Sequence, residues 1–130
     1  MHVRFLKNSN ELTSKGISFS KKNNFKKAIS CFDEVLETDA NNIVAWFHKG
    51  LALKELERNE EAIASFDKVL KIESNNSSAL YNKGLVLGKL GRNEESISCI
   101  DKSLDIKYND SINLFVEGNK LKECGKYDEA

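Results

Sequence analysis

The sequence predicts an all-α fold, a solenoid of antiparallel helix hairpins stacked one after another. Three observations carry this. Small and large apolar residues recur at a fixed step of 34 residues, the apolar positions within each unit follow helical spacing, and no stretch alternates with the period of two that a half-buried strand shows.

The step is read from six columns in one register: Gly16, Gly50, Gly84 and Gly118; Ala28, Ala62, Ser96 and Ala130; Phe32, Phe66 and Ile100; Leu36, Leu70 and Leu104; Ile29, Ile63 and Ile97; Asn8, Asn42, Asn76 and Asp110. They divide the chain into an amino-terminal extension (1–8), repeats at 9–42, 43–76 and 77–110, and a partial fourth at 111–130.

Each unit reads as two helices. Asn42, Asn76 and Asp110 are N-cap types, whose short side-chain oxygen accepts from the first free backbone N–H groups. Val44, Phe47 and Leu51 then recur along one face of a first helix, with Trp46, Leu53 and Leu56 on its neighbour. Polar turns follow at Lys22-Asn23-Asn24, Glu57-Arg58-Asn59, Gly91-Arg92-Asn93 and Gly125-Lys126. The second helix carries its own stripe, which in the second unit is Ala62, Ile63, Phe66, Val69 and Leu70. Glycine inside a helix costs about 1 kcal/mol against alanine, so its recurrence implies a packing gain. The expected arrangement sets Gly50 opposite Ala62 across the hairpin, with Phe32 and Phe66 filling the space between hairpins.

At 130 residues the chain is about one domain, and 40% hydrophobic with 31% charged residues is a globular composition. Twenty basic and 20 acidic side chains leave no net field to draw in nucleic acid or anionic membrane. Locally, Arg4, Lys7, Lys15, Lys21, Lys22, Lys26 and Lys27 face only Glu11. Without a ladder of exposed aromatics, this basic end reads as a solvated turn rather than a nucleic-acid surface. No apolar run approaches the roughly 18 residues of a membrane span, and the first seven residues do not form a signal peptide. Three cysteines without CxxC spacing argue against a disulfide framework or zinc site and for a reducing, cytoplasmic setting.

Catalytic chemistry is absent from the pattern. His2 and His48 are the two histidines, and neither has a Ser, Cys or Asp arrangement of triad type beside it. There is no HExxH, phosphate-binding loop or GxGxxG. Cys31 and Cys99 share a column with Ser65, which suits small, partly buried fillers. Glu60-Glu61, Glu94-Glu95 and Asp128-Glu129 open second helices, where negative charge complements the helix dipole. The expectation is a protein that is not an enzyme and takes no metal or cofactor.

The period and columns resemble the tetratricopeptide repeat, whose signature runs W-x2-L-G-x2-Y, then A-x3-F, then P. The second unit matches best through Trp46, Gly50, Leu53, Ala62 and Phe66, and Gly125-Lys126-Tyr127-Asp128-Glu129-Ala130 is similar to the family's turn and second-helix opening. The likeness spans Asn8 to Ala130. It departs in two ways. Lys15, Lys49, Lys83 and Glu117 replace the leucine before the glycine, read as solvent-facing substitutions, and Ala40, Ser74 and Tyr108 stand at the closing proline. Helical repeats of 35 or 36 residues, including the RNA-reading pentatricopeptide type, would drift over this span, whereas this register does not.

The resemblance implies a right-handed superhelix whose first helices line a concave groove for an extended peptide or partner helix. Carried over column by column, that groove holds Thr13, Phe47, Tyr81 and Phe115; one turn on, Ile17, Leu51, Leu85 and Asn119; and toward the helix ends Lys21, Lys54, Lys89 and Lys122. Inter-repeat core is the structural alternative for Phe47, Tyr81 and Phe115. Members that clamp a C-terminal carboxylate need a Lys/Asn set on these helices, and Thr13, Ile17, Phe47, His48 and Tyr81 do not supply it. The implied partner is therefore a protein or peptide of apolar or mixed chemistry.

The chain stops at Ala130, one turn into the expected second helix of a fourth hairpin. Ile112, Leu114, Phe115, Val116 and Leu121 then lack a partner, so the expectation is either a longer parent array or a homo-oligomer formed through this carboxyl-terminal helix. A frayed terminus is the plain alternative. Beside the interaction scaffold stand three other readings: a self-assembly module, a regulatory domain of a larger protein whose catalytic part lies elsewhere, and RNA binding through the basic amino end.

Overall fold

The chain folds as three consecutive antiparallel helix pairs: α1 (His2–Lys21) with α2 (Phe25–Thr38), α3 (Ile43–Glu55) with α4 (Asn59–Ile72), and α5 (Ser77–Lys89) with α6 (Asn93–Glu129). The computed structural model describes the backbone of residues 2–129 and the side chains of residues 9–117 and 119. Each pair packs on the next through α2–α3 and α4–α5. The first helices also touch one another, α1 to α3 and α3 to α5, whereas α2, α4 and α6 make no such contact among the described residues. The first helices thus form the tight inner layer, and the stack bends toward them.

Local chemistry sets the helix ends. The side-chain oxygens of Asn42 and Asn76 accept from the backbone N–H groups of Ala45 and Ala79 at 3.0 and 2.9 Å, starting α3 and α5. Each first helix ends in the same left-handed turn, with φ of 62° at Asn23, 59° at Glu57 and 76° at Gly91. In the second hairpin Arg58 N–H donates to Leu53 O at 2.9 Å and Glu57 N–H to Lys54 O at 3.0 Å, and the other two turns repeat this pair of bonds. That pattern satisfies carbonyls the helix end would otherwise leave free. Glycine and asparagine adopt such a φ readily; Glu57 does so at a steric cost. The arginine next in line forks onto the first turn of the following helix, Arg58 onto Glu61 at 2.9 and 2.6 Å and Arg92 onto Glu95 at 3.1 and 2.8 Å.

Phe32, Phe66, Leu53, Leu87, Val35, Val69 and Val86 are fully buried. The glycine column has a more specific neighbour than the alanine column. A Cβ on Gly16 would lie 2.6 Å from Phe32 Cε1, and one on Gly50 2.6 Å from Phe66 Cε1. The large second-helix ring is therefore seated against the glycine of its own hairpin. Phe32 also reaches the next hairpin, stacking on His48 at 6.0 Å between centroids. In the third hairpin Ser96 replaces the alanine and its hydroxyl donates to Gly84 O at 2.7 Å.

Two expectations need correction. Lys49 and Lys83 are not solvent-facing: each reaches back to the preceding hairpin, Lys49 Nζ to Asp33 Oδ1 at 2.7 Å and Lys83 Nζ to Asp67 Oδ1 at 2.6 Å. The helix break expected at Tyr108–Asp110 and the turn expected at Gly125-Lys126 are also absent, because α6 runs unbroken from Asn93 to Glu129. Asp110 is therefore not an N-cap. The repeat register explains this. Ala45, Ala52, Leu53, Ala79, Val86 and Leu87 are the apolar residues of α3 and α5 buried to within 1% of completely. Their counterparts in a folded-back fourth unit would be Asn113, Lys120 and Leu121, polar at two of the three, and Glu117 would meet Asp101 where Lys49 and Lys83 meet aspartate. Burying those groups costs more than the turn returns, so the helix continues.

Candidate functional site

The inner face is built from α1, α3 and α5; Asn42 and Asn76 cap the latter two, and all three end in the left-handed turn. Phe47 is half-buried: it packs against the core and tilts over Phe66 at 5.9 Å, so only part of its ring reaches the face. Leu51 and Leu85 are likewise half-buried, whereas Tyr81 is 39% exposed with Lys107 Nζ 5.7 Å from its ring centroid. Ile17 is half-buried against the first hairpin's core. Thr13 turns its hydroxyl back onto Ser9 O at 2.7 Å and is half-buried.

Of the cations, Lys54 spans two first helices by donating to Asn82 Oδ1 at 2.9 Å, and Asn82 in turn donates to Ser78 O at 2.8 Å. Lys21 and Lys89 are exposed at their helix ends, one position beyond the Lys54 register, which Ser20 and Gly88 occupy. Phe115 and Asn119 stand apart from the others. They lie exposed on α6, Phe115 by 69%, because no fourth first helix joins the inner layer. The side chain of Lys122 lies outside the described residues.

Ile43, Val44, Phe47, His48, Asn76 and Ser78 line a cavity of about 230 Å³ between α3 and the start of α5. The sequence reading named only Phe47 for the site. Val44, 48% exposed, was missed although it begins the same helical face three residues earlier. Asn82 was missed because a single asparagine beside an aromatic carries no periodic signal. His48 sits between two rings, stacked on Phe32 and edge-on to Phe47 at 5.6 Å. Burial there pushes its pKa below the ordinary 6.5, which favours the neutral imidazole. A second cleft, about 410 Å³, opens beside Trp46, Lys68, Lys71 and Ile72; the Trp46 ring N–H donates to Ala40 O at 2.7 Å.

These groups can bury apolar side chains and orient a backbone, but they offer no acid–base pair. Cys31 is buried, which raises its pKa and keeps the thiol protonated. Among the described residues no cluster of three or more His, Cys, Asp and Glu side chains is placed to hold a metal ion. No helix among them is long and apolar enough to cross a membrane.

Sequence profiles described as tetratricopeptide repeat match residues 12–42 and 77–110, and a further TPR-repeat profile matches residues 50–91. The chain belongs to the tetratricopeptide-repeat family. Solved structures share its fold. A mutant of the protein MamA is 25% identical over 76% of this chain and 72% of its own, with a TM-score of 0.72. The Arabidopsis OM64 TPR domain is 20% identical over 78% and 84%, at a TM-score of 0.75. The second TPR of Spaghetti (RPAP3), solved bound to the HSP90 peptide SRMEEVD, is 19% identical over 75% and 91%, at 0.73. No curated protein matches this tetratricopeptide chain significantly.

Proposed function

We propose that this array is a protein-interaction scaffold that takes an extended peptide or partner helix along the inner face of α3 and α5. The observation that carries the reading is the cavity of about 230 Å³ lined by Phe47 and exposed Val44, with exposed Tyr81 one helical turn beyond Ser78 of its lining. An apolar side chain entering it would gain about 25 cal/mol for each Å² of apolar surface removed from water. Bound peptide in the Spaghetti relative supports the mode of use. The chemistry here differs from a carboxylate clamp: Lys54 is already engaged by Asn82, and the cavity wall sets Ile43, Val44 and Phe47 beside neutral His48, Asn76 and Ser78, with no cation. The ligand is accordingly apolar or mixed, with Lys21 and Lys89 available to orient acidic groups at its edge. The scaffold has no catalytic part of its own and works in the cytoplasm, a setting that suits the free thiols of Cys31 and Cys99.

Panning a displayed random-peptide library against the whole chain tests the site. Peptides enriched on the native protein should bind a Val44→Ser/Tyr81→Ser variant at least about tenfold more weakly, a difference of about 1.4 kcal/mol. Both side chains are exposed, so the variant keeps its fold, and circular dichroism checks that it does. Enriched peptides that ignore the double substitution would place the site elsewhere.

A further inference from the structure

We propose that α6 is a dimerisation helix, pairing antiparallel with α6 of a second copy of this chain. Ile97, Leu104, Tyr108, Ile112 and Phe115 are 59, 54, 65, 40 and 69% exposed. Ile29 and Ile63, in the column of Ile97, are each 7% exposed because another hairpin covers them. What differs at Ile97 is the missing neighbour. Together with half-buried Ile100, these side chains fall within a stripe about 120° wide along one side of the helix. α5 occupies a different side, where it receives the hydroxyls of Ser96 and Ser103 on Gly84 O and Ser77 O.

The stripe is self-complementary. Its members are symmetric about Ile106: Leu104 and Tyr108 lie two residues either side, Ile100 and Ile112 six, Ile97 and Phe115 nine. A twofold axis at the level of Ile106 therefore brings Ile97 level with Phe115 of the second copy, Ile100 with Ile112, and Leu104 with Tyr108. These three layers are apolar on both sides, and the pairing is the same seen from either copy, as an isologous interface requires. Asp101 lies within the stripe, between Tyr108 and Ile112, and comes level with Ser111 of the second copy in a polar layer that holds one charge; parallel pairing would set Asp101 against its own counterpart. Side chains of this size, on average more than half exposed, offer roughly 600 Å² a copy, and about 1,200 Å² in all meets the lower bound for a specific interface.

Other occupants fit less well. The chain's own fourth unit would present Asn113, Glu117 and Lys120 around Val116 to this face. The outer side of α1 on a second copy, stacked head to tail, would present exposed Glu11, Ser14 and Ser18.

Light scattering over a concentration series should give twice the 14.7 kDa chain mass, and Leu104→Glu or Tyr108→Glu should weaken association at least tenfold with helical content unchanged. Register is read by cross-linking in a Cys99→Ser/Cys124→Ser background. A mixture of Leu104→Cys and Tyr108→Cys copies should form a mixed disulfide, and neither variant alone should cross-link. A monomer at all concentrations overturns the proposal. So does a dimer indifferent to Leu104→Glu, or one in which each cysteine variant cross-links to itself. None of these outcomes bears on peptide binding at α3 and α5, which is tested separately.

Discussion

Lys83 on α5 and Asp67 on α4 form an ion pair of 2.6 Å across two hairpins, and Lys49 with Asp33 repeats it at 2.7 Å one unit earlier. The lysines are mostly sheltered, at 23 and 21% side-chain exposure, while the carboxylates are half exposed. Solvent screening limits each pair to about 1 kcal/mol or less. Lys83→Met should therefore cost about 0.5 kcal/mol, and a double-mutant cycle with Asp67→Asn should return a coupling of that size that shrinks in high salt. Urea titrations at two ionic strengths measure it.

Gly50 leaves no room for a methyl group, since its Cβ would lie 2.6 Å from Phe66 Cε1. Gly50→Ala gains about 1 kcal/mol of helix propensity but must displace a fully buried ring, and the expected net loss is about 1–2 kcal/mol. The loss should be smaller in a Phe66→Leu background. Thermal or urea unfolding of the four proteins checks the cycle.

Glu57 holds a left-handed φ of 59° where the third hairpin has Gly91. Glu57→Gly should stabilise the array by about 0.5–1 kcal/mol, the relief of strain exceeding the added chain entropy. A urea midpoint at or below that of the native protein would contradict this account of the turn.

His48 is kept neutral by burial between Phe32 and Phe47, so its pKa in the fold lies below its ordinary 6.5. The unfolded chain then takes up a proton at higher pH than the folded one, and stability is lost as pH falls below about 7. Native protein should lose more stability between about pH 7 and pH 5 than His48→Gln does, the difference being this histidine's contribution. Equal losses in both proteins would rule that contribution out.

Much of the inner face was legible because it repeats: Phe47, Leu51, Tyr81 and Leu85 fall into columns, and the same columns mark Phe66 and Val69 as core. Depth was not legible. Phe47 reads like Tyr81 in sequence, yet the ring of Phe66 behind it draws one further inward than the other. Partners on neighbouring hairpins were invisible too. Lys49 and Asp33, or Lys54 and Asn82, meet only once the hairpins stack.

The sequence by itself determined the hairpin and its period, since caps such as Asn42 and Asn76, the glycine column and the apolar stripes act over a few residues or one helical turn. Tertiary structure alone decided where the array stops folding back. Tyr108–Asp110 resembles a repeat junction, but a junction is taken only when the next helix has apolar surface to bury on the last. With Asn113 and Lys120 in the buried register and Glu117 facing Asp101, α6 continues and its stripe from Ile97 to Phe115 stays open.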